Sequence, residues 1–542
     1  MSKQDQVADV VQALRNCGFS YIGLADDGWF RLTGLLQTSA SSYECEITLD
    51  GQFFELPRIR LLEVPPSLRP VAPHLDSSGG LCYLAKGTVV LDIFDPVGQT
   101  LACLKRAELV LDKLLKGEFV HDLEEEFFAY WLGELCLVDI QGPSLGKHQS
   151  IVCKPGNQTF VVATDDKERT NKKLSALGWS ATNDNILVYR VRTKAKPRPS
   201  QGKWPPTMLK DVLAWQALLD GRCRKKIEQR VREAAKTSAP GVLILIESPL
   251  LTYGLGVMFE AHQKGVAPAL GAAKKSRVFD FKVTPMAVYR LDDRYMAQRN
   301  IPGLVTLEKK QITVVGCGTI GGYLADMLVK AGAGTSGGQL TLVDPDALYP
   351  QNIGRHRLGF SSLFQNKAQA LAEELRRGAP GADIRALPVR VQEIQFGPLD
   401  LLIDATGEES LGHWMASKNE CGGPMLSVWI EGPGIAVRSL LYANKSSACF
   451  RCLTDHNRSG RYPSVSGDLP VIHAGQGCEG LYVPFSASVS VQAASLASEA
   501  ILAWVNNSPS PALRTRVLDS RHQPGSVDCD PLKIIGCPAC GS

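Results

Sequence analysis

The pattern of apolar and polar positions divides the chain into three regions. Residues 1–145 begin with the helical pattern QDQVADVVQAL, continue with the short runs SYECEITL, RIRLLEV and TVVLDIF, and end with a second helical pattern, ACLKRAELVLDKLL. The runs are short and β-prone, so we predict three strands between two helices. A helix, a meander of strands and a further helix make an α+β domain.

The middle region, residues 146–285, has a less regular pattern. Apolar runs such as TFVVATD, ILVYRV and VLILIES predict strands. The basic, proline-rich stretch RTKAKPRPSQGKWPPT, at 192–207, predicts an exposed loop or linker. The region carries no chemical motif, and we assign it only as an α/β middle linker domain.

The third region, residues 286–542, alternates between strand and helix patterns. QITVV, a glycine-rich turn and a helix are followed by QLTLVD, ALAEELRRG and LDLLIDATG. Such alternation predicts a parallel, doubly wound sheet of the Rossmann type. The chain is therefore expected to be multidomain, with an α+β, an α/β and a Rossmann-like part.

Composition narrows the functional classes without naming one. The 542 residues carry a net charge of +4, which gives no sign of direct nucleic-acid binding. The N-terminus has no apolar signal-peptide core, and runs such as GVLILI at 241–246 are too short to span a membrane. Fifteen scattered cysteines do not form a secreted disulfide pattern. We expect a cytoplasmic protein without a membrane contact.

A glycine motif opens the third region. Gly316, Gly318 and Gly321 form G-x-G-x-x-G between a predicted strand and a helix, a context in which backbone N–H groups approach a phosphate. Asp344 follows at the end of the next strand, where a carboxylate can bind ribose hydroxyls. Taken alone, these residues would also fit a nicotinamide-dependent oxidoreductase.

The polar residues that follow favour a triphosphate. Asp346, Asn352, Arg355 and Lys367 supply amide and charged groups in a short span, as several phosphate oxygens require. Asp404 ends a later strand, and a carboxylate in that place suits Mg²⁺ bound to phosphate oxygens. The order of these residues favours ATP over a nicotinamide cofactor.

Two pairs of cysteines indicate a metal. Cys449 and Cys452 form one CxxC, and Cys537 and Cys540 form another at the C-terminus. Four thiolates in two such pairs are typical of a tetrahedral Zn²⁺ site. With all four positions used, the zinc is expected to be structural and to hold the C-terminal tail to the body of the domain.

The ordered motifs resemble those of ThiF/MoeB-type adenylyltransferases, whose core ubiquitin-activating enzymes share. The resemblance covers about residues 285–542. It implies that Asp344 binds the ribose of ATP, that Asn352, Arg355 and Lys367 hold phosphates, and that Asp404 holds Mg²⁺. It also implies that the carboxylate at the C-terminus of a protein attacks the α-phosphate of ATP.

In the activating enzymes, a loop in the position of HAGQGCEG carries the cysteine that takes the acyl group as a thioester. This resemblance assigns Cys478 as that nucleophile, with Cys421 and Cys529 as competitors. The family also reaches an arginine across a homodimer into the partner's ATP site. Three residues could do so, and the sequence does not choose among them: Arg290, Arg294 and Arg299.

The first 145 residues are similar to a ubiquitin-conjugating enzyme, with Cys82 in the place of the catalytic cysteine. Conjugating enzymes carry His-Pro-Asn slightly further ahead of that cysteine, whereas here His74 is followed by Leu75 and Asp76. The asparagine that usually stabilises the oxyanion is therefore missing. The local sequence alone favours a core residue over a nucleophile for Cys82, because most free cysteines are buried and structural; the resemblance of the whole chain favours the nucleophile.

The combination resembles the fused conjugation proteins of bacterial CBASS anti-phage operons. It implies a homodimer that activates the C-terminal glycine of a partner cGAS-like nucleotidyltransferase (CD-NTase). The acyl group would pass through Cys478 and Cys82 to a target protein or small-molecule amine. Two alternatives stay open: a ThiF/MoeB-type sulfur-carrier adenylyltransferase without the relay, and a nucleotide-sensing scaffold without turnover.

Overall fold

The computed structural model describes residues 3–85, 87–131, 133–182, 186–200, 204–259, 278–418, 423–472, 474–475 and 482–541. The chain forms two compact units. The first contains Met1–Cys136, Ser144–Ser150 and Asp184–Tyr289, and the second contains Leu137–Pro143, Ile151–Asn183 and Arg290–Ser542.

The beginning of the first unit is a helix, an antiparallel meander and a second helix. Its elements are α1 (Lys3–Asn16), β1 (Ser20–Leu24), β2 (Phe30–Gln37), β3 (Ser42–Leu49), β4 (Arg58–Leu61) and α2 (Pro96–Leu115). The strands pair in the order β1-β2-β3-β4. Apolar residues of both helices and of the sheet share one core, for example Leu14, Ile47 and Leu111. The predicted helices and two of the three predicted strands are confirmed.

The prediction of a strand for TVVLDIF was wrong. Residues 88–94 form turns, and the side chains of Val90 and Phe94 are 99% and 90% exposed. The Asp92 carboxylate accepts from the Phe94 N–H at 3.0 Å, so a local turn takes up a group that a strand would pair. The segment leads to α2, whose N-cap Asp95 accepts from the Gly98 N–H at 2.8 Å.

Two short helices after α2 complete the surroundings of Cys82. They are α3 (Asp122–Glu125) and α4 (Phe127–Tyr130). Phe127 is fully buried in an aromatic cluster with Trp131, Trp215 and Tyr253. The Trp131 indole N–H donates to the carbonyl of Gly254 at 2.9 Å, which satisfies its polar group. This packing anchors the chain that carries the acidic residues of α3.

The described residues in the middle of the chain form strands and three helices. The strands are β5 (Glu134–Asp139), β6 (Gly146–Cys153), β7 (Phe160–Thr164), β8 (Leu187–Arg192), β9 (Gly241–Glu247), β10 (Thr252–Met258) and β11 (Val283–Arg290). The helices are α5 (Lys167–Ala176), α6 (Leu209–Leu219) and α7 (Gly221–Ala235). Within the first unit, β8 is parallel to β9, and β9, β10 and β11 are successively antiparallel.

The second unit is built on a seven-stranded sheet. Its strands are β12 (Gln311–Val315), β13 (Gln339–Val343), β14 (Ile384–Leu387), β15 (Leu401–Asp404), β16 (Met425–Glu431), β17 (Ala436–Tyr442) and β18 (Leu513–Val517). The order is β14-β13-β12-β15-β16-β17-β18. In this order the first five strands are parallel to one another, as the sequence predicts, whereas β17 is antiparallel to both of its neighbours, β16 and β18.

Six further helices are described in the last part of the second unit. They are α8 (Asp293–Gln298), α9 (Thr319–Lys330), α10 (Lys367–Gly378), α11 (Glu409–Lys418), α12 (Phe450–Arg458) and α13 (Ala487–Val505). Helix α13 is long and apolar enough to cross a membrane. Its small residues, including Ala493, Ala497 and Ala500, are nevertheless buried in the core with β12 and α9.

The parallel register brings three strand ends together. Val315 of β12 lies opposite Val343 of β13 on one side and opposite Asp404 of β15 on the other. The residues that follow these strands therefore share the carboxyl edge of the sheet, where α/β proteins bind ligands. We call the ends of β12, β13 and β15 the nucleotide edge.

Candidate active sites

The glycine motif forms a tight turn at the nucleotide edge. Gly316 has φ of 89°, a conformation that favours glycine. A Cβ on Gly321 would lie 1.8 Å from the carbonyl oxygen of Gly316, so only glycine fits there. A Cβ on Gly318 would meet no atom within 4 Å. The first and third glycines shape the turn, and the second leaves open space at the N-terminus of α9, where a phosphate can approach.

Asp344 is part of the same turn. One carboxylate oxygen accepts from the Cys317 N–H at 2.7 Å, and the other accepts from the Asp346 N–H at 2.9 Å. Burial raises the pKa of Asp344 above its ordinary value. The carboxylate therefore fixes the glycine turn relative to the end of β13.

Asp346 and Lys367 are brought into direct contact. The Lys367 Nζ lies 3.0 Å from a carboxylate oxygen of Asp346, and its backbone N–H donates to the carbonyl of Asp346. The Asn366 side chain caps α10 and donates to the carbonyls of Asp344 and Asp346. This network places the lysine at the nucleotide edge.

Asn352 and Arg355 have other contacts. The Asn352 side-chain oxygen accepts from the Tyr349 N–H at 3.0 Å and closes a single helical turn. Arg355 donates to the carbonyl of Val483 at 3.1 Å, and its guanidinium lies 4.3 Å from the centre of the Phe485 ring. Its buried Nε has no hydrogen-bond partner among the described residues. Burial lowers the pKa of Arg355.

Asp404 lies at the carboxyl end of β15 and is 4% exposed. One oxygen accepts from the N–H and hydroxyl of Thr406, at 3.1 and 2.7 Å. Burial raises the pKa of Asp404 to about 6. A Cβ on Gly412 would lie 3.0 Å from its other oxygen, so glycine keeps the space beside that oxygen open. A carboxylate at this edge is a suitable ligand for Mg²⁺.

Sequence reasoning missed His356, which lies beneath the glycine turn. Its Nδ1 accepts from the Leu358 N–H at 3.0 Å, so its Nε2 carries the proton that is donated to the Cys317 carbonyl at 2.9 Å. Burial lowers the pKa of His356 to about 4, which keeps the ring neutral. Its only signal in the sequence is its place directly after Arg355.

The four predicted metal ligands are brought together. Neighbouring sulfurs lie 3.8 Å apart for Cys449 and Cys452, 3.8 Å for Cys449 and Cys537, and 3.6 Å for Cys452 and Cys540. Tetrahedral Zn–S bonds of about 2.3 Å place sulfurs about 3.8 Å apart. The geometry and the thiolate donor set therefore fit zinc.

Cys82 is exposed, although its neighbours Leu81 and Tyr83 are buried. It lies in residues 73–85, which we call the Cys82 turn. Its backbone N–H donates to the carbonyl of His74 at 2.8 Å. Asp76 accepts from the N–H groups of Ser78 and Gly80 at 2.7 and 2.9 Å. Although partial burial opposes it, the hydrogen bond from the Ser78 hydroxyl, at 2.6 Å, and these two backbone hydrogen bonds lower the pKa of Asp76. Asp76 is therefore engaged in shaping the turn.

The side chain of His74 connects two carboxylates. Its Nε2 lies 2.9 Å from Asp122 and its Nδ1 lies 2.7 Å from Glu126. The backbone N–H of His74 and the Tyr130 hydroxyl both donate to Oε2 of Glu126, each at 3.0 Å. Partial loss of solvent, followed by the charge of Glu126, raises the pKa of Cys82. Sequence reasoning did not connect these acidic residues to the cysteine.

The remaining candidate cysteines divide into two groups. Cys478 and Cys421 lie outside the described residues. Cys529 is partly buried, and its backbone pairs with Leu513, the first residue of β18. Burial raises the pKa of its thiol. Cys529 is thus a packed residue with a poorly ionised sulfur.

The three candidate arginines differ in their partners. Arg290 binds Asp292 with two hydrogen bonds of 2.7 Å, and Arg294 binds Glu308 at 2.6 Å. Arg299 is exposed, and its guanidinium has no hydrogen bond or ion pair within the described part of the chain. Of the three arginines, it is the one whose charge has no carboxylate partner among the described residues.

Two family models match the chain. The ThiF family matches residues 293–526, and prokaryotic E2 family B matches residues 32–135. The first match contains the nucleotide edge, and the second contains the Cys82 turn with α3 and α4.

Relatives extend over larger parts of the chain. An ATP-dependent ubiquitin transferase-like protein Cap2 of Pseudomonas aeruginosa (strain BWHPSA011 / Pa011) is 56% identical, with 100% of both chains covered. A protein of the same name from Escherichia coli (strain TW11681) is 26% identical over 84% of each chain. Among solved structures, E. coli MccB with ATP is 16% identical, with a TM-score of 0.33, 45% of this chain covered and 69% of the other.

Proposed function

Because the chain belongs to the family of ATP-dependent ubiquitin transferase-like proteins designated Cap2, we propose that it activates the C-terminal glycine of a partner protein and conjugates it to an amine. The proposed partner is a CD-NTase, and the proposed setting is antiviral defence. The acyl group passes from an adenylate to Cys478, then to Cys82, and finally to a target.

The nucleotide edge supports the first step. The terminal carboxylate of the partner attacks the α-phosphorus of ATP, which forms an acyl adenylate and releases pyrophosphate. We assign Asp344 to the ribose, and Lys367 and Arg355 to phosphate oxygens. The place of Asp344 in the glycine turn, the contact of Lys367 with Asp346, and the buried Arg355 Nε, which has no hydrogen-bond partner among the described residues, support this assignment. Asp404 would hold Mg²⁺, which neutralises charge on the phosphate oxygens when bound.

The carriers of the acyl group are the two cysteines. The Cys478 thiolate displaces AMP to form the first thioester. The Cys82 thiol then attacks that thioester, and the proton and the acyl group exchange places between the two sulfurs. Exposure of Cys82 on its turn supports this role, because a buried core cysteine could not reach a second thioester.

The proposal assigns supporting roles to two further sites. The Cys449, Cys452, Cys537 and Cys540 cluster holds a structural Zn²⁺ and fixes the C-terminal tail. Arg299 extends across a homodimer to the ATP site of the partner subunit. Its exposure and its lack of an engaged carboxylate among the described residues support it over Arg290 and Arg294.

The single observation that carries the proposal is the presence of an exposed cysteine in the E2-like part of a chain that also has an adenylation motif. The test incubates the full chain with ATP, Mg²⁺ and a candidate CD-NTase, and follows DTT-sensitive adducts. C478A should abolish thioesters and keep pyrophosphate exchange. C82A should keep the first thioester and lose the final conjugate.

A matched control is C17A, because Cys17 is also an exposed cysteine of the first unit. It should retain every product. If C82A also left every product unchanged, the relay would be wrong and a sulfur-carrier adenylyltransferase would be the better assignment. ATP binding without pyrophosphate exchange would instead indicate a scaffold without turnover.

A further inference from the structure

A buried lysine of the second unit holds the segment that leads into α8. The side chain of Lys173, on α5, is 7% exposed, and its Nζ has three acceptors. It donates to a carboxylate oxygen of Asp139 at 2.9 Å and to the carbonyl of Leu291 at 2.8 Å. It also lies 2.8 Å from a carboxylate oxygen of Asp293, the first residue of α8. One ammonium group therefore joins the end of β5 to the beginning of α8.

The surroundings of this ammonium group are fixed. The carboxylate of Asp139 is fully buried and also accepts from the Thr170 hydroxyl at 2.6 Å and from the Arg169 Nε–H at 3.2 Å. A Cβ on Gly381 would lie 2.7 Å from Cε of Lys173, so a larger residue there would displace the lysine. The amine is thus held between a fixed carboxylate and a closely packed loop.

A second set of contacts returns to α8. The Gln141 side chain donates to the carboxylate of Asp293, and its oxygen accepts from the Ser336 hydroxyl at 2.9 Å. The same hydroxyl lies 3.1 Å from a carboxylate oxygen of Glu308, which accepts from the guanidinium of Arg294 at 2.6 Å. Because Asp293 and Arg294 are neighbours in α8, these contacts form a closed circuit around the beginning of the helix.

The helix α8 is so short that a fixed beginning also fixes its end. It has six residues, and its N-cap Asp292 accepts from the Tyr295 N–H at 3.0 Å. The Arg299 N–H, directly after the helix, donates to the carbonyl of Tyr295 at 2.9 Å. The guanidinium of Arg299 is exposed and has no ion pair within the described residues. An unpaired cation therefore stands at the end of a clamped helix.

The energetics of the lysine favour a role in positioning. Loss of hydration offsets the attraction between buried charges, so ion pairs of this kind add little net stability. Three acceptors at 2.8–2.9 Å nevertheless define one position for the ammonium and for the groups that it joins. Such accuracy matters at a reacting centre, where a displacement of about 1 Å can reduce a rate about 100-fold.

We propose that Lys173 is a positioning residue for adenylation, which fixes α8 so that Arg299 reaches the ATP site of the partner subunit. This inference rests on the proposed function of Arg299 in a homodimer. Lys173 acts through α8 and contacts neither ATP nor the acyl group. Loss of its amine should therefore impair the ATP site of the other subunit and spare the site of its own.

The first test measures exchange of labelled pyrophosphate into ATP by the full chain with a candidate CD-NTase. K173M retains the apolar length of the side chain and should lower kcat about tenfold. K172A is the matched control, because Lys172 is the next residue along α5, is 60% exposed and pairs with Glu168. It should keep the wild-type rate. Q141A removes a neutral side chain and should lower kcat about fivefold, which keeps the proposal testable if K173M does not fold.

Mixed dimers give a readout that a merely structural role would not change. Two chains with different tags are co-expressed, and dimers that carry both tags are purified. In the dimer of K173M with D404N, the K173M chain keeps its own Asp404 and receives Arg299 from the other chain. One of two sites is then complete, so the dimer should recover about half of the wild-type rate. The dimer of K173M with R299A should stay impaired, because neither chain supplies a correctly placed arginine.

A role of Lys173 within its own subunit would give the reverse pattern. The dimer with R299A would then be active and the dimer with D404N inactive, which would overturn the proposal. A wild-type rate in K173M would also overturn it. Failure of the proposed function is distinct: the wild type would show no exchange, or the dimer of R299A with D404N would not recover.

Hydrogen exchange tests the clamp without ATP or a dimer. If Lys173 holds α8, the amides of a peptide that covers α8 should exchange about tenfold faster in K173M than in K172A. Mass spectrometry of the two variants measures this difference, with peptides of α13 as an internal reference for global stability. Equal exchange of the α8 peptide in both variants would show that Lys173 does not position the helix.

Discussion

The nucleotide edge and the Cys82 turn differ in the exposure of their candidate reactive groups and in the elements that hold those groups. At the nucleotide edge, Asp344 and Asp404 are 6% and 4% exposed, and adjacent parallel strands fix their positions. On the Cys82 turn, the cysteine is exposed. The acidic groups that contact His74 of this turn are Asp122 of α3 and Glu126, which lies between α3 and α4, 48 and 52 residues after His74.

This difference fits the proposed function. Binding of ATP requires a rigid site, because phosphoryl chemistry depends on positioning and on groups oriented in advance. If Cys82 receives an acyl group from one protein and gives it to another, as proposed, it must admit two large partners in turn. Its exposure meets that requirement, and the hydrogen bonds around His74 keep the surrounding turn ordered.

The largest effect is expected at the nucleotide edge. D404N removes the charge proposed to bind Mg²⁺ and should reduce pyrophosphate exchange by about 100-fold or more, as loss of several kcal/mol of charge stabilisation would do. The measurement is exchange of labelled pyrophosphate into ATP. Alkylation of Cys82 should be unaffected, since that reaction does not use the nucleotide.

A matched control for this variant lies at the other end of β15. D400N replaces a residue that pairs with Lys310 at 3.1 Å, away from the carboxyl edge. It should keep at least half of the exchange rate. Equal losses in D400N and D404N would show a general loss of folding and would contradict the specific role of Asp404.

The cysteine cluster should show an effect on stability. C540S removes one proposed Zn²⁺ ligand and should reduce bound zinc to well below one per chain. It should also lower the free energy of unfolding by about 3 kcal/mol, because the tail loses its attachment. C529S is the control, since Cys529 lies outside the cluster. Purified protein without zinc, or equal melting of both variants, would contradict a structural zinc.

A smaller effect on ATP binding is expected from His356. H356A leaves the Cys317 carbonyl without its side-chain donor, at a cost of about 1–3 kcal/mol, and should raise the KM for ATP about tenfold. H356Q retains an N–H donor and should recover most of this loss. Melting temperatures are measured in parallel, because a raised KM at an unchanged melting temperature indicates a change in the glycine turn rather than a loss of global stability. A normal KM in H356A would exclude a positioning role.

The sequence predicts the nucleotide edge well for a physical reason. Glycines that a tight turn requires, and acids at strand ends, lie within one alternating β–α pattern, so local order implies spatial order. Gly321 illustrates this, because its Cβ would collide with Gly316 five residues earlier. Cys449 and Cys452 are likewise close to each other in the sequence. The metal site nevertheless needs the second pair, Cys537 and Cys540, and that pair was recognised only because it repeats the same CxxC spacing.

The Cys82 turn could not be predicted to the same extent. His74 and Glu126 are 52 residues apart, and no periodic pattern links the Cys82 turn to the acidic residues in and directly after α3. Residues 88–94 have strand-like composition, yet they form turns, because Asx-type hydrogen bonds replaced strand pairing. His356 was missed because a single buried histidine carries no motif. These features depend on tertiary contacts.

Variants of Asp76 distinguish a role in acyl transfer at Cys82 from a role in holding the shape of the Cys82 turn. Its carboxylate accepts from the N–H groups of Ser78 and Gly80, so D76A should cost about 1 kcal/mol in unfolding free energy. The pKa of Asp76 is lowered on folding, so its contribution is complete above the unfolded value of about 3.9 and is lost as pH falls below it. Urea unfolding at pH 7 measures the loss of unfolding free energy in D76A, and the same measurement at pH 3 shows whether that loss becomes smaller at low pH.

D76N is the sharper variant because an amide oxygen can still accept both N–H groups. It should keep the turn, cost a few tenths of a kcal/mol, and leave thioester formation on Cys82 within about twofold. D26A serves as the control, since Asp26 is exposed and has no side-chain partner in the described residues. A tenfold change in transfer with D76N would place this side chain at the reacting carbonyl. A small change assigns it to holding the shape of the turn.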